Sequence, residues 1–457
     1  MPRRPAVLSI VVLLVTTATL AAQPSPPDPA PPDLTTTDKP PVDYSAGSTD
    51  TTPPPDGPPG MTSPDEPKII LFTMGIGSLI WERHGHIALC VEYPAKRKAD
   101  CYNYGVGDFH DPLAMVWGFF RGTHSFWVAK MPPQQMFAVY IQFDRTVWQQ
   151  EIPLDADQKQ KVIAKLEDDI LEDHKYYAYD HFDDNCTTRI RNIFDDVTHG
   201  AMLGMKDEPT DGKTFRDLAR DGFFGMEDHS RISLLITDIA MGRSTDRVPD
   251  YYERMFLPQY LREAVEKKWG VKAKQVYTRT ECRQDPDEFC NSRGIRGEPD
   301  GPSGRWLFAL FAILITAPAV LARRFGRLQR STLGLAIVPY ALLGAILLFL
   351  AIISPLPYVR WDESVLVFFP FDVMLLRASW RHREIYAKGR VAMLGLIAAL
   401  MAVGLFKQPL WPELLWPLIP AALVGFWPAA WTRATVAPAT AEPAKKSPAA
   451  RKKSSRN

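Results

Sequence analysis

Two long apolar runs in the carboxyl-terminal third limit what this chain can fold into. Residues 306–322 and 332–353 contain no charged side chain, and about 20 apolar residues in a helix are enough to cross the hydrocarbon layer of a bilayer. We therefore predict that both runs are transmembrane helices. Three further segments are weaker candidates because each is shorter or more polar: 365–376, 391–406 and 410–431.

The distribution of basic residues indicates the number of spans. Cytoplasmic loops of membrane proteins are enriched in Lys and Arg, and four arginines between residues 323 and 330 follow the first run. The basic segments 377–390 and 445–456 fall on that same side only if residues 365–376 also cross. We therefore predict five spans, with a kinked third span. Asp372 and Glu413 are either functional groups within the membrane or residues at its surfaces.

The amino-terminal segment has the features of an exported protein. Residues 1–22 combine a basic start, an apolar middle and small final residues, which is typical of an export signal. Gln23 follows instead of the Cys that a lipoprotein signal requires, so we do not expect lipidation, and an uncleaved anchor is the alternative. Residues 23–67 are rich in Pro, Asp, Ser and Thr and are predicted to form an extended, disordered linker.

Residues 68–272 have the composition of a soluble domain. Its strand-like patterns, among them residues 138–143, come before most of its helical patterns, and this order predicts an α+β fold. The predicted organisation is a signal (1–22), a Pro-rich linker (23–67), an exported domain (68–272), a polar linker (273–304), a transmembrane region (305–433) and a basic cytoplasmic tail (434–457).

The charge balance of the chain excludes one class of function. Lys and Arg number 53 against 52 Asp and Glu, so the chain lacks the basic excess of a nucleic-acid-binding protein.

There are five cysteines. Cys90 and Cys101 flank a predicted strand–turn–strand, and Cys282 and Cys290 lie close together in a polar loop. Two disulfides would leave Cys186 unpaired; the alternative is five free, buried thiols.

Cys186 lies at the predicted start of a helix. Asn185 is a favourable N-cap, and Ile190, Ile193 and Val197 recur at helical spacing. Free N–H groups and the positive end of the helix dipole favour an anion, so we expect the thiol to tend toward thiolate. The same N–H groups are suited to stabilise an oxyanion.

A catalytic thiol needs a base, and the base needs an orienting group. His86 precedes an apolar strand, and Asn103 follows on the next predicted strand. We therefore predict Cys186 as nucleophile, His86 as base and Asn103 as the orienting residue, with Asp108, His110 and His124 as alternatives to Asn103. His84, His86 and Cys186 are the alternative as zinc ligands, but no pair among them has typical zinc-ligand spacing, so neither a metal nor another cofactor is predicted.

Several motifs occur together in a recognisable order. Gly85-His86, Tyr102-Asn103-Tyr104-Gly105, Asp184-Asn185-Cys186-Thr187-Thr188-Arg189, Thr214-Phe215-Arg216 and Met255-Phe256-Leu257-Pro258 resemble the family of the bacterial Lnb periplasmic domain, named after the lipoprotein intramolecular transacylase. The resemblance extends over residues 69–261. It implies a permuted papain-like, NlpC-type fold and a thiol acyl-transfer site with Cys186 as nucleophile and His86 as base. His84 and Cys90 depart from the family pattern.

The substrate contacts follow from this prediction. Tyr104, Tyr179 and Arg189 are the candidate substrate-binding residues, with a solvated helix face as the alternative for Arg189. Aromatic residues near 117–127 would line an acyl groove or pack in the core. We expect a multi-pass protein of the inner membrane whose periplasmic domain transfers or hydrolyses acyl groups of lipoproteins or lipids. The alternatives are a peptidoglycan peptide hydrolase and a non-catalytic lipid- or partner-binding protein.

Overall fold

The computed structural model describes residues 66–77, 80–107, 111–222, 237–284, 304–377 and 381–428. The predicted signal, nearly all of the linker and the basic tail lie outside these residues. Within them, an antiparallel sheet dominates the amino-terminal part and helices dominate the carboxyl-terminal part. The mixed composition and the order of strands and helices agree with the prediction.

One seven-stranded sheet organises the amino-terminal domain. The strands are β1 (Lys68–Met74), β2 (His86–Tyr93), β3 (Lys98–Val106), β4 (Ser125–Met131), β5 (Val147–Glu151), β6 (Tyr176–Ala178) and β7 (Lys274–Tyr277). Their order across the sheet is β6-β4-β3-β2-β1-β5-β7, and every neighbouring pair is antiparallel. Short connections suffice between antiparallel neighbours, which explains why β1, β2 and β3 are consecutive in the chain.

Helices cover both faces of the sheet. The described helices of this domain are α1 (Pro112–Phe120), α2 (Pro133–Gln142), α3 (Ala156–Asp169), α4 (Cys186–Val197), α5 (Phe215–Asp221), α6 (Pro258–Trp269) and α7 (Thr280–Gln284). Ile69 and Leu71 of β1 face one core with residues of α3, α4 and α6, while Ile70 and Phe72 face a second core with residues of α2. This division follows from the period of two along a strand.

Two sequence predictions need correction here. Residues 138–143 lie in and just after the helix α2, not in a strand, because Met136, Phe137 and Tyr140 form a buried helical face. The exported domain also continues past the predicted boundary at Lys272. Strand β7 pairs with β5, and Tyr277 is buried in the core beneath α2, so the start of the predicted polar linker belongs to the sheet.

Three of the four described cysteines are disulfide-bonded. A disulfide joins Cys90 and Cys101, which are directly opposite each other on β2 and β3. Cys282 is also disulfide-bonded, and its predicted partner Cys290 lies outside the described residues. Among the described cysteines, Cys186 is the free thiol.

The carboxyl-terminal region contains long apolar helices. They are α8 (Gly304–Arg324), α9 (Arg330–Ile353) and α12 (Arg383–Ala402), with the shorter α10 (Pro357–Arg360), α11 (Ser364–Val367) and α13 (Leu415–Gly425). By length and composition, three helices of the described region are candidate membrane spans: α8, α9 and α12. Three of the five predicted spans coincide with these candidate helices. The other two predicted spans, residues 365–376 and 410–431, fall on shorter, less regular segments and remain predictions.

A buried ion pair explains the irregular segment between α11 and α12. Arg390 of α12 donates to Asp372 at 2.9 Å and also to the carbonyls of Leu366 and Val367. The hydroxyl of Tyr340 on α9 donates to the same carboxylate. Backbone carbonyls that leave a regular helix in an apolar region need such internal partners. This arrangement favours a structural role for Asp372.

The sheet domain packs directly against the helical region. Phe182, Phe215 and Phe256 share a buried cluster with Leu356 and Tyr358, which lie beyond the end of α9. Polar contacts add to this interface: the Gln408 amide donates to the carbonyl of Met241, and the Gly242 N–H donates to the carbonyl of Tyr358. The domain is therefore held against one end of the helices.

Arg216 fixes the segment that makes these polar contacts. Its side chain is 1 % exposed. The guanidinium pairs with Asp246 at 2.8 Å and donates to the carbonyls of Thr237 and Asp238. A buried charge with several partners is costly to disturb, because removing one partner leaves the others desolvated and unpaired.

We expect Arg216→Met to lower the free energy of unfolding by about 3–5 kcal/mol. The matched control is Arg247→Met, which removes a guanidinium from the solvent-exposed pair with Glu253 and should cost about 0–1 kcal/mol. Denaturant unfolding of the full-length protein in detergent measures both. Equal effects of the two substitutions would contradict the structural role of Arg216.

Candidate thiol active site

The start of α4 is fixed by one amide side chain. Asn185 Oδ1 accepts hydrogen bonds from the N–H groups of Thr187 and Thr188, and the Thr188 hydroxyl accepts one from the Asn185 N–H. The other end of the amide donates to the carbonyls of His181 and Phe256. Cys186 therefore occupies the first helical position, as predicted, in a backbone that has little freedom to move.

The protonation state of Cys186 differs from the sequence-based expectation. The residue is partly exposed, but protein surrounds its sulfur and burial raises the pKa of the thiol above its ordinary value of 9.0. Hydrogen bonds from the Thr187 side chain and from the N–H groups of Ile87 and Thr187 act in the opposite direction and are smaller. The helix start alone therefore does not make Cys186 a thiolate, because desolvation outweighs the N–H groups.

His86 is held by a hydrogen bond and an aromatic ring. Its Nε2 lies 2.5 Å from Asn103 Oδ1, and its ring stacks on Tyr140 with centroids 6.0 Å apart. Because an amide oxygen only accepts, Nε2 carries the proton and Nδ1 keeps its lone pair. Burial lowers the pKa of His86 to about 4, with Asn103 opposing this shift and Arg145 adding to it. His86 is thus a neutral imidazole at neutral pH.

Gly105 is the point at which the site converges. Its φ of +86° is a conformation that favours glycine, at an irregularity in the pairing of β3 with β4. A Cβ placed there would lie 3.7 Å from each of three atoms: Cys186 Cβ, His86 Cε1 and Tyr177 Oη. The thiol, the imidazole and a phenol therefore surround one small space.

Tyr177 is a site residue that the sequence did not single out. Its side chain is buried, and its hydroxyl has no hydrogen-bond partner within the described ranges. The guanidinium of Arg189 covers its ring at 3.8 Å. The sequence shows a Tyr-rich segment before Cys186, but it does not show which tyrosine points toward the thiol. The alternation of side chains along β6 determines that.

Of the three predicted substrate-binding residues, Tyr104 and Arg189 already have polar partners within the protein, whereas Tyr179 lies close to the loop before Cys186. Tyr104 is fully buried, and its hydroxyl donates to Asp169 at 2.7 Å, so the geometry does not favour substrate contact. Arg189 forms a bidentate pair with Asp184, so its charge is already matched. Tyr179 is partly buried and packs on Phe126 with ring centroids 4.5 Å apart, close to the Cys186 loop.

The remaining histidines have other positions. His84 Nε2 lies 2.8 Å from the Ala219 carbonyl, and the rings of His84 and His181 are 4.8 Å apart. Asp108 and His110, two alternatives to Asn103, lie outside the described residues. Across the described ranges, no group of three or more His, Cys, Asp or Glu residues is placed to hold a metal ion.

Comparison with known families agrees with the predicted resemblance. Residues 60–221 match the family model described as the Lnb N-terminal periplasmic domain, which confirms that resemblance over a segment containing His86, Asn103 and Cys186. No curated protein and no solved structure matches the chain. The match and the apolar helices together define a membrane-associated envelope protein with a periplasmic domain.

A neutral thiol beside a neutral imidazole predicts two different pH profiles. Alkylation by soluble iodoacetamide proceeds through the thiolate, so its rate should rise about tenfold per pH unit through pH 8. A reaction in which His86 accepts the thiol proton should instead be flat across this range and fall as pH drops toward about 4, where His86 becomes protonated. Both rates are measured by quenching the reaction at set times and determining the mass of the protein, with Cys186→Ala as the unreactive control.

The contrary result is equally specific. If the alkylation rate levels off between pH 6 and 8, the thiol and imidazole form a thiolate–imidazolium pair at rest, and the assigned neutral state is wrong.

Proposed function

We propose that this protein is a membrane-tethered thiol acyltransferase or hydrolase that acts through an acyl-enzyme on Cys186. The observation that carries the proposal is that the side chains of Cys186, His86 and Tyr177 converge at Gly105. Cys186 Cβ, His86 Cε1 and Tyr177 Oη each lie 3.7 Å from the place that a Cβ on Gly105 would occupy. A nucleophile, a base oriented by Asn103 at 2.5 Å and a hydroxyl donor are the parts that acyl transfer requires.

The first step is addition of the thiol to a carbonyl. His86 Nδ1 accepts the Cys186 proton while the sulfur attacks the carbonyl carbon of an ester. The developing oxyanion accepts hydrogen bonds from the Cys186 N–H, which has no intrahelical acceptor at the first helical position, and from the Tyr177 hydroxyl. The Asn103 amide oxygen stabilises the imidazolium that forms.

Collapse of the adduct completes the acyl transfer. The carbon–oxygen bond of the ester breaks, the imidazolium proton passes to the leaving alkoxide, and the acyl group remains on sulfur as a thioester. An amine or water then attacks, gives its proton to His86, and Cys186 leaves and is reprotonated. The low pKa of His86 leaves the imidazole unprotonated and able to accept a proton at neutral pH, but it also makes His86 a weaker base than one whose pKa lies near the operating pH.

The membrane region supports a substrate held at the bilayer. Leu356 and Tyr358, at one end of the helices, share a buried cluster with Phe182 of the loop that precedes Cys186. A catalyst fixed there meets membrane-borne esters at high effective concentration. We therefore propose lipoprotein or lipid acyl groups as substrates and the inner membrane as the location.

Contacts at the two ends of the helices support five passes of the chain. Gln408 contacts Glu363 and Asp238 at the end nearest the sheet domain. Arg383 lies within electrostatic range of Arg323 and Arg330, whose like charges repel it, at the opposite end, and a side chain at Gly425 would lie close to the Lys388 backbone. We propose that residues 364–377 and 410–425 cross as the third and fifth passes.

Cys186 should accumulate an acyl group when a slow ester substrate is supplied. We expect intact-mass spectrometry of the full-length protein in vesicles to detect a thioester on Cys186 that is absent in Cys186→Ala. His86→Ala should form it at least roughly 100-fold more slowly, since general base catalysis contributes about this much. A labelled muropeptide tests the hydrolase alternative. If none of the esters and peptides supplied acylates Cys186, the proposed enzyme function is contradicted.

Tyr177→Phe should separate catalysis from stability. Loss of one oxyanion donor lowers acylation about 100-fold, while stability should stay constant or rise, because the buried hydroxyl has no partner in the described structure. The matched control is Tyr104→Phe, which removes the bond to Asp169 and should cost about 1–3 kcal/mol of stability with little effect on acylation. An unchanged acylation rate in Tyr177→Phe would exclude the proposed role.

A further inference from the structure

The helix α1 has an exposed surface that is unusual for a soluble domain. Its nine residues, Pro112–Phe120, include no charged side chain. Val116 and Trp117 are each 45 % exposed. Exposed apolar side chains clustered on one helix face normally mark a surface that contacts a partner or a membrane.

The exposed face of α1 is continuous with the outer surface of a candidate membrane span. The ring of Trp117 stacks on Phe349 of α9, with centroids 6.0 Å apart and 14° between the planes. Phe349 and Ile352 are 51 % and 72 % exposed, as expected for side chains that face lipid. Bilayer lipid would cover this shared apolar surface without any partner protein.

The position of Phe349 indicates the depth of α1. Phe349 lies four residues before the end of α9, or ~6 Å along the axis at 1.5 Å per residue. A helix of 24 residues exceeds the ~20 residues that span the hydrocarbon layer, so Phe349 lies near the boundary with the headgroups. Trp side chains concentrate at this level, and Arg121 lies over the Trp117 ring at 5.9 Å.

The other side of α1 leads to the thiol. Phe119 lies 6.4 Å from Tyr179, Tyr179 lies 4.5 Å from Phe126, and Phe126 lies 6.4 Å from Tyr177 between ring centroids. The Tyr177 hydroxyl adjoins the space beside Cys186. A series of aromatic rings thus connects the membrane-level helix with the candidate nucleophile.

We infer that α1 is an interfacial helix whose Val116–Trp117 face contacts bilayer lipid, and that the aromatic series guides an acyl chain from that lipid to Cys186. The first half is independent of catalysis, and the second half rests on the proposed function. An apolar face at the interface combined with an aromatic path suits a lipid whose headgroup stays in the bilayer surface.

Site-specific photocrosslinking tests the lipid contact. Benzoylphenylalanine replaces Trp117 in the full-length protein, reconstituted in phosphatidylethanolamine–phosphatidylglycerol vesicles with radiolabelled phosphatidylethanolamine. The control position is Leu203, which is 48 % exposed and lies beyond the opposite end of α4. We expect label on the chain for position 117 and not for position 203. No label at 117, or equal label at both, would overturn the inference.

A pair of charge substitutions tests the path to the thiol. The readout is the ratio of Cys186 acylation by a vesicle-borne diacylglyceryl ester to acylation by a soluble short-chain thioester. Val116→Glu should lower this ratio roughly tenfold, because a carboxylate is disfavoured in the apolar layer, whereas Leu203→Glu should not. An unchanged ratio in Val116→Glu would contradict the path.

The two proposals fail in different ways. If neither ester acylates wild-type Cys186 but position 117 still crosslinks to lipid, the proposed enzyme function is wrong and the interfacial helix stands. If vesicle-borne ester acylates Cys186 while 117 does not crosslink, the enzyme function stands and the interfacial helix is wrong.

Discussion

The hydrogen bonds of the Asn185 amide are the interaction on which the site depends most. Its oxygen caps α4 and its nitrogen donates to the carbonyls of His181 and Phe256. These bonds join the helix, the loop before it and the segment before α6 at one buried residue. Because Phe256 also packs with Tyr358 in one cluster, the position of Cys186 is coupled to the end of the long apolar helices that lies nearest the sheet domain. The domain therefore holds its thiol at a defined place relative to the candidate membrane spans.

Burial decides the charge state of the site. A helix terminus stabilises an anion by about 0.3–1 kcal/mol at an exposed position, whereas full desolvation can shift a pKa by several units. Burial raises the pKa of Cys186 and lowers the pKa of His86 to about 4, so both shifts favour the neutral forms. A resting site without charge costs less to keep next to an apolar surface. In the proposed mechanism, charge develops only during the reaction, and the Cys186 N–H and the Tyr177 hydroxyl then stabilise it.

Much of the architecture could be predicted because it depends on local patterns. The start of α4 followed from Asn185 and helical spacing, and the long apolar helices followed from composition. The segment 138–143 was predicted incorrectly, because a short apolar run fits either a strand or a helix and only its packing beneath the sheet distinguishes them. Strand β7 was missed because its four residues gain stability from pairing with β5 rather than from their own sequence.

The residues of the candidate site could be chosen from the sequence, whereas its geometry could be predicted only in part. Cys186, His86 and Asn103 follow from residue type and order, and the structure brings His86 and Asn103 within 2.5 Å. Tyr177 and the position of Gly105 depend on strand pleat and on an irregularity in pairing, which no local pattern encodes. The broken segment near Asp372 likewise depends on a tertiary ion pair with Arg390.

The protonation state of His86 is the most direct test of this account. Nitrogen-15 NMR of the full-length protein with labelled histidine, assigned with His86→Gln, reports both ring nitrogens. We expect at pH 7 a neutral ring with the proton on Nε2 and a bare Nδ1, and no imidazolium until the pH approaches about 4. An imidazolium at pH 7, or a neutral ring with its proton on Nδ1, would contradict the proposed base.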